Sequence, residues 1–449
     1  MERLDGARGP RSPDRRGLPA RGLRRGHPPA HRRERPGDHA RDRGLGIALS
    51  PGFLSAFVFP SFRRLWIGAF LSSIGTWTQD VALSWLIHTR IGDPFYLGLR
   101  TFASELPLVT FMLVGGAQAD RVDRRRILLV SQVFQMSMAG ALGVLYGLER
   151  LGIGAILVIA FLTGLAQSQS APTYQATLTS LVPHDHIPNA VALNSLQFNL
   201  SRAIGPVIAG LLLARVGTGA CFAANVLSFV AVIVAIARIE LPPVAALGRE
   251  SLGQSLKAGI RHVVESPILS ALTLLGATAS LLAFPLITFL PVLAGDVLHT
   301  GAPGYSLLLT SLGVGAIAGA VTTAHRGSVP GRGKLMLLAF MACGAATVGA
   351  VLSGRQWLAM ALLAAAGFSL TTAFSTLNSL VQEHAPNELR GRVLSIFGLA
   401  FRGGMPVGSL VAGGLVNAFG APAVLAAFAS ALFLIAAAIR LRNARLRAL

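Results

Sequence analysis

The sequence predicts an all-α membrane protein with twelve transmembrane helices in two pseudo-symmetric six-helix bundles. Three observations predict it. First, the 449 residues are 53% hydrophobic and 13% charged, about half the charged share of a soluble domain. A span takes about 20 apolar residues, so twelve would use roughly 240 positions, which is what 53% of 449 supplies. Second, apolar runs fall six and six around one polar stretch. Third, two segments recur at nearly the same offset in the two halves.

The chain opens on an Arg/Gly/Pro-rich tail, 1–58. Its first fifty residues hold 13 Arg and 6 acidic residues, too little apolar surface to offset chain entropy, so disorder is expected. No apolar core follows the Arg pairs, which argues against a secretory signal. Translated GC-rich upstream sequence would read the same way, so an over-extended gene reading stays open. The first bundle, 59–239, has spans near 65–88, 97–118, 127–148, 153–176, 190–214 and 219–239. A cytoplasmic central loop is expected at 240–266. The second bundle, 267–440, has spans near 268–294, 304–324, 335–353, 356–381, 391–415 and 420–440, before a basic C-terminus at 441–449. Each run is long enough to satisfy its own backbone as a membrane helix.

Basic residues set the expected orientation. With the N-terminus inside, the inner connections and C-terminal end hold 17 Lys and Arg, and the outer ones hold 5: Arg90, Arg100, Arg150, Arg215 and Arg355. That bias puts both termini in the cytoplasm, with the inner membrane as the expected location. A net charge of +20 would suggest nucleic acid in a soluble protein. Here it is divided between a tail and short loops with no binding module, so no nucleic-acid partner is expected. Cys221 and Cys343 sit in apolar runs and read as packing.

The repeat is specific. Thr177-Leu-Thr-Ser-Leu-Val182 recurs as Thr376-Leu-Asn-Ser-Leu-Val381, and Arg202-x-x-x-Pro206-Val207 recurs as Arg402-x-x-x-Pro406-Val407. A duplicated six-helix unit is what a two-halved carrier needs for alternating access around a central site.

Between spans two and three stands Gly116-Ala-Gln-Ala-Asp120-Arg121-Val-Asp123-Arg124-Arg125. It resembles the G-x-x-x-D-R-x-G-R-R loop of the major facilitator superfamily, with Asp123 where Gly is commonest. The second-half partner, Gly319 through Lys334, is degenerate. Pro386-Asn-Glu-Leu-Arg390-Gly391-Arg392 resembles the basic loop between spans ten and eleven. Phe62-Arg-Arg-Leu-Trp66, Ile74-Gly-Thr-Trp77 and Pro188-Asn189-Ala-Val-Ala-Leu-Asn194-Ser195 resemble the transmembrane secretion effector branch, which includes enterobactin-type exporters and macrolide efflux proteins. Arg202-Ala-Ile-Gly205-Pro206-Val-Ile-Ala209-Gly210 resembles the antiporter motif G-P-x-x-G-G, with Ala209 for one Gly and Met405 at the second-half counterpart of Gly205. The resemblance implies the major facilitator fold and proton-driven export. One departure stands out: exporters of this branch often carry an acid and an Arg around the Pro of span four, whereas Gln167-Ser-Gln169-Ser-Ala-Pro172-Thr-Tyr174-Gln175 has neither.

Charges inside spans are costly and usually face a cavity or a partner. Asp80, Glu105, Arg202 and Arg402 stand inside, and their charges sum to zero. Asp80 and Glu105 lie eight residues from the outer ends of their spans, roughly 12 Å deep. They are the proton-coupling candidates, Asp80 first; a fixed salt bridge is the plainer alternative. Arg202 and Arg402, near the midplane, either bind an anionic group or neutralise the two acids. Trp77, Gln79, Gln167, Gln169, Tyr174, Asn199, Phe374 and Asn378 are candidates for the substrate cavity, each equally explicable by packing.

No reactive constellation of an enzyme is present, and His184-Asp185-His186 lacks further convergent metal ligands. Without a P-loop, the proton gradient is the expected energy source, and no cofactor is expected. The sequence is therefore expected to encode a monomeric secondary transporter exporting a small amphipathic molecule: a drug, siderophore or secondary metabolite. A facilitative or uptake permease of the same fold, or a transport-inactive accessory protein, is the alternative. Asp120 and the Arg cluster at 121 and 124–126 are expected to form a cytoplasmic latch holding the outward-open state, an effect of about 1–2 kcal/mol, with positive-inside anchoring as the plainer role of the arginines. Asp120→Asn should therefore slow transport with membrane insertion intact; unchanged transport kinetics would rule out the latch.

Overall fold

The computed structural model describes residues 54–119, 123–241, 252–326 and 331–443, with Leu446. The expected tail disorder, Asp120, Arg121 and part of the central loop therefore lie outside the described residues. The described chain is all helix and turn. It comprises α1 (Pro60–Leu86), α2 (Phe95–Ala119), α3 (Arg124–Gly147), α4 (Ile153–Ser180), α5 (Ile187–Arg215), α6 (Thr218–Arg238) and α7 (Leu252–Glu265). There follow α8 (Pro267–Ala283), α9 (Pro285–Val292), α10 (Gly301–Arg326), α11 (Arg332–Leu352), α12 (Gln356–His384), α13 (Arg390–Phe419) and α14 (Ala421–Arg442).

Ten membrane-length apolar rods occur among the described residues: α3–α6, the Pro267–Val297 rod built from α8 and α9, and α10–α14. At 1.5 Å per residue, even 21 residues reach about 31 Å, the thickness of a bilayer core. The more polar α1 and α2 are 27 and 25 residues long, and between them they carry Asp80, Arg100 and Glu105. The Pro267–Val297 rod is broken where Pro285, without an N–H, follows Phe284. The expected central loop contains a helix, α7, whose Gly259 lies against Arg392 of α13.

Local chemistry sets the helix ends. Asp123 caps α3 by accepting from the Arg125 N–H at 2.9 Å, the usual role of a short acid at an N-cap. At the other end of α2, Asp93 accepts from the Phe95 N–H at 2.9 Å, and Gly92 turns the chain at φ +74°, a conformation that favours glycine. Entry into α1 and α5 is fixed jointly. Asn189 Oδ1 accepts from the Ala56 N–H at 2.9 Å, and Trp66 Nε1 donates to the Leu193 carbonyl at 2.9 Å.

Packing divides the helices unequally along their length. At the end where α1 begins, two separate apolar clusters form. One contains Phe62, Leu65, Leu178, Leu193 and Phe229 from the first half of the sequence; the other contains Leu272, Phe340, Leu377 and Phe397 from the second. At the opposite end a single cluster joins both halves, including Val81, Leu86, Phe222, Phe289, Tyr305 and Val416. The helices that touch across the halves are α2 with α13, α5 with α10, and α1 and α2 with α9. A side chain at Gly98 of α2 would collide with the Ser409 carbonyl of α13, so small residues permit this seam. Polar clasps complete the joined end. His88 Nε2 lies 3.4 Å from Asp296, Asn417 Nδ2 donates to Asp93 Oδ1 at 2.7 Å, and Trp85 stacks on Tyr305.

In a background with Cys221→Ser and Cys343→Ser, the pair Asp93→Cys and Asn417→Cys should form a disulfide readily on mild oxidation. Absence of that cross-link would contradict the joined end.

Candidate functional site

The candidate site is built by α1, α2, α5 and α13. Trp77, Asp80 and Ser84 recur at three- and four-residue spacing on α1 and share one face. Asp80 is ion-paired with Arg100 of α2, and Arg100 also donates to Ser84 Oγ at 3.4 Å. The Arg100 side chain is only 16% exposed. This corrects the reading of Arg100 as an outer-connection residue: it belongs to α2 and is part of the interior charge set. The expected zero sum is corrected with it. Among the described helices, the interior holds two acids and three arginines.

Glu105, five residues further along α2, faces Arg402 of α13 at 3.9 Å. Its Oε2 is buried and accepts no hydrogen bond. Arg402, Asp80 and Arg100 are the charges that act on Glu105, so the two acids share one electrostatic cluster while each faces its own arginine. The two pairs differ in what they join. Asp80–Arg100 lies within the first half of the sequence, whereas Glu105–Arg402 crosses the seam.

Arg202 of α5 joins neither pair. Its guanidinium lies over the Trp77 ring, 5.8 Å from the centroid, and its Nε is buried without an acceptor. The motif around it is a packing wedge. A side chain at Gly205 would collide with Trp77 Cβ, and one at Gly210 would press on Ser306 of α10. Thr78 Oγ1 donates to the Gly205 carbonyl at 3.2 Å. Pro206, inside α5, leaves the Arg202 carbonyl without its helical donor, and that carbonyl lies beside Gly313 of α10. In the second half, where Met405 replaces the glycine, Gly404 and Gly408 make the close approach to α8, next to buried Pro406.

The first turn of α3 is a brace. Besides the Asp123 cap, Arg124 donates to the Ala176 carbonyl of α4 at 3.3 Å, and Arg125 donates to the Ala237 carbonyl of α6. Gly116 lies within α2. On the other half Arg332 of α11 pairs with Glu383 of α12 and donates to Ser379 Oγ at 3.1 Å. Arg390 opens α13, followed by Gly391 and Arg392.

The cavity candidates separate into groups. Gln79 accepts from Asn225 Nδ2 of α6 at 2.9 Å. Tyr174 donates to Gln197 Oε1 at 3.1 Å, and Gln197 donates to Ser73 at 3.1 Å. Gln167 accepts from Ser170, while Gln169 donates to Ser168 and leaves its Oε1 buried without a donor. Asn199 donates to the Ser195 carbonyl. Phe374 belongs to an aromatic cluster with Phe284, Phe340 and Phe401, and Asn378 is exposed. Arg100 is the interior ion-pair partner that sequence reading placed in a connection; the signal was its position three residues into an apolar run, opposite an interior acid.

Comparisons agree with this architecture. Residues 52–449 match the family described as transmembrane secretion effector. Multidrug efflux pump Tap of Mycolicibacterium fortuitum is 27% identical over 378 residues, 82% of this chain and 92% of that protein. The staphyloferrin A transporter of Staphylococcus aureus is 26% identical over 357 residues, 78% and 88% of the two chains. The enterobactin exporter EntS of Citrobacter koseri is 25% identical over 365 residues, 79% and 85%. Among solved structures, a bacterial homologue of the lysosomal transporter spinster, inward-facing and unoccupied, aligns with a TM-score of 0.66 at 15% identity, covering 89% and 98% of the chains. The nucleoside transporter NupG aligns with a TM-score of 0.68 at 13% identity, covering 85% and 98%; both likenesses concern the fold. With its helical spans, its seam between two halves and a family match across nearly the whole described chain, this multi-pass membrane protein belongs to the transmembrane secretion effector family of major facilitator transporters and is not an enzyme.

Proposed function

We propose that the protein exports a small amphipathic molecule in exchange for protons by alternating access. It does so as a twelve-span monomer of the cytoplasmic membrane with both termini inside. Adding α1 and α2 to the ten apolar rods supplies the twelve spans, six in each bundle. The Lys/Arg bias supports the orientation, and moving Arg100 into α2 strengthens it. On that orientation the joined end faces outward and the divided end faces the cytoplasm, an inward-open conformer. Relatives named as a multidrug efflux pump and an enterobactin exporter support export of a drug-like or siderophore-like cargo.

One observation carries the coupling mechanism: the Glu105–Arg402 pair crosses the seam at 3.9 Å. A pair inside one bundle, such as Asp80–Arg100, travels rigidly when the bundles rock. A pair across the seam must be made and broken. When the bundles part on the outer side the pair is broken and Glu105, freed from Arg402, takes up a proton from outside; after the return to the inward-open conformer Arg402 favours the ionised carboxylate, and the proton is released to the cytoplasm as the pair re-forms. This favours Glu105 over Asp80 as the proton carrier, reversing the order that sequence position suggested. Asp80 then holds Arg100 in place. The braces at Asp123, Arg124 and Arg125 keep the first bundle rigid, so that the charge switch acts on the whole body.

Transport is measured in proteoliposomes with an imposed pH gradient, using compounds selected by comparing drug susceptibility and secreted metabolites of a deletion strain with its parent. Addition of substrate should move protons across the wild-type membrane; an unchanged lumenal pH with substrate still crossing would favour the facilitative permease. Glu105→Gln should reduce gradient-driven accumulation by at least about tenfold while exchange of substrate for substrate persists, since a neutral side chain no longer reports proton binding. Asp80→Asn should lower thermal stability more than coupling, because it leaves the mostly buried Arg100 cation unpaired. Normal pH dependence in Glu105→Gln and its loss in Asp80→Asn would invert the assignment.

A further inference from the structure

The interior charges do not balance, and the excess lies in one place. Asp80 and Glu105 are taken by Arg100 and Arg402. Among the described residues Arg202 has no ion pair and no hydrogen-bond acceptor for its guanidinium; it lies over the Trp77 ring, and Nε is buried. A cation inside a membrane protein is costly unless it meets a partner, a cavity or a ligand, so a cation left without a carboxylate needs a reason. Span four, α4, carries no acid; its polar side chains are amides, hydroxyls and Tyr174.

The helix pattern shows where Arg202 points. Phe198, Arg202, Gly205 and Ala209 recur at spacings of four, three and four, one stripe of α5. Ile204, Val207 and Leu211, all exposed, occupy the opposite face. The inward stripe packs against α1 at Gly205, beside Trp77, and Ala209 is fully buried. One turn from Arg202 toward the divided end, Phe198 on that same stripe is 54% exposed, so the stripe emerges there into open space. Trp77 and Phe198 meet edge to face. A guanidinium with free donors is thus framed by two aromatic rings, about one turn (4.5 Å) further along α1 toward the divided end than the Asp80–Arg100 pair.

We propose that Arg202, Trp77 and Phe198 form an oxyanion subsite, and that the exported molecule carries a carboxylate-type anion on a flat apolar body. The guanidinium fork suits a planar oxyanion, and the rings suit the attached body. Binding of the anion neutralises the surplus charge, which gives cargo and interior complementary charge with no additional acid in the protein. The inference rests on the transporter reading and sharpens it by naming the cargo class.

The test uses the whole protein in phosphatidylcholine nanodiscs, titrated calorimetrically with 1-naphthoate, 1-naphthylmethanol and 1-naphthylmethylammonium. Wild type should bind the acid about tenfold or more tightly than the alcohol, and the ammonium ion weakest. Arg202→Gln should erase the preference for the acid, and Arg202→Lys should keep part of it, with thermal unfolding profiles reporting the fold of each. Equal affinity of wild type for acid and alcohol, no binding of the acid, or full preference retained in Arg202→Gln would overturn the proposal; the first two comparisons need no variant. Adding phosphatidylglycerol to the discs should leave naphthoate affinity unchanged. Its loss would mean that a lipid headgroup occupies Arg202, and would overturn an anionic cargo. Because binding needs no gradient, naphthoate preference without proton-coupled transport would overturn the export reading alone, and coupled transport without that preference would overturn the subsite alone.

Discussion

The energetic cost of charge inside a low-dielectric helix bundle governs this structure. Asp80, Arg100, Glu105, Arg202 and Arg402 stand well inside the helices that meet at the seam, and each needs a partner, a cavity or a ligand. Asp80 and Arg100 meet that need inside one half. Glu105 and Arg402 meet it only while the two halves are apposed. The second solution ties an electrostatic energy to the relative position of two bodies, which is the form a coupling device takes: a ligand or proton shifts a conformational equilibrium only through its different interaction with the two states. Arg402 is 40% exposed, so water screens part of this attraction.

Close packing makes that electrostatic seam feasible. Gly98 on α2, Gly210 on α5 and Gly313 on α10 let backbones approach across the halves. Gly205, Gly404 and Gly408 do the same inside each half. Pro206 and Pro406 sit in these same stretches, where the missing N–H loosens the helix locally. The motif resembling an antiporter signature therefore has a mechanical content: one helix packs on α1 by Gly205 and on α10 by Gly210, between two bodies that separate at only one end. The apolar clusters express the same asymmetry, joined at the end of His88 and Asp296 and divided at the end where α1 begins.

Much of the fold was legible because membrane helices announce themselves by composition and length. The apolar runs, the polar centre and the repeat between 177–182 and 376–381 located nearly every helix; Thr177 and Thr376 are both buried at matching places on α4 and α12. Short-range chemistry was legible too, as at Asp123, an apparent departure from the loop motif that turns out to cap α3. Pairings were not. Asp80 lies twenty residues from Arg100 and Glu105 nearly three hundred from Arg402, and which acid meets which base depends on helix rotation and on which helices adjoin. Gln79, attractive as a cavity residue, points to Asn225 on α6 for the same reason. The helix α7 was missed because its apolar residues form one stripe among polar ones, which lowers its average hydropathy to that of a loop.

The central claim is that the attraction between Glu105 and Arg402 across the seam, rather than either residue's chemistry alone, couples the halves. Charge exchange tests it most directly: Glu105→Arg, Arg402→Glu and the double variant, each assayed for gradient-driven accumulation in proteoliposomes at equal protein. The account predicts that each single reversal, placing like charges together, abolishes accumulation, and that the double reversal restores a substantial part of it. A double variant no more active than the singles would contradict it.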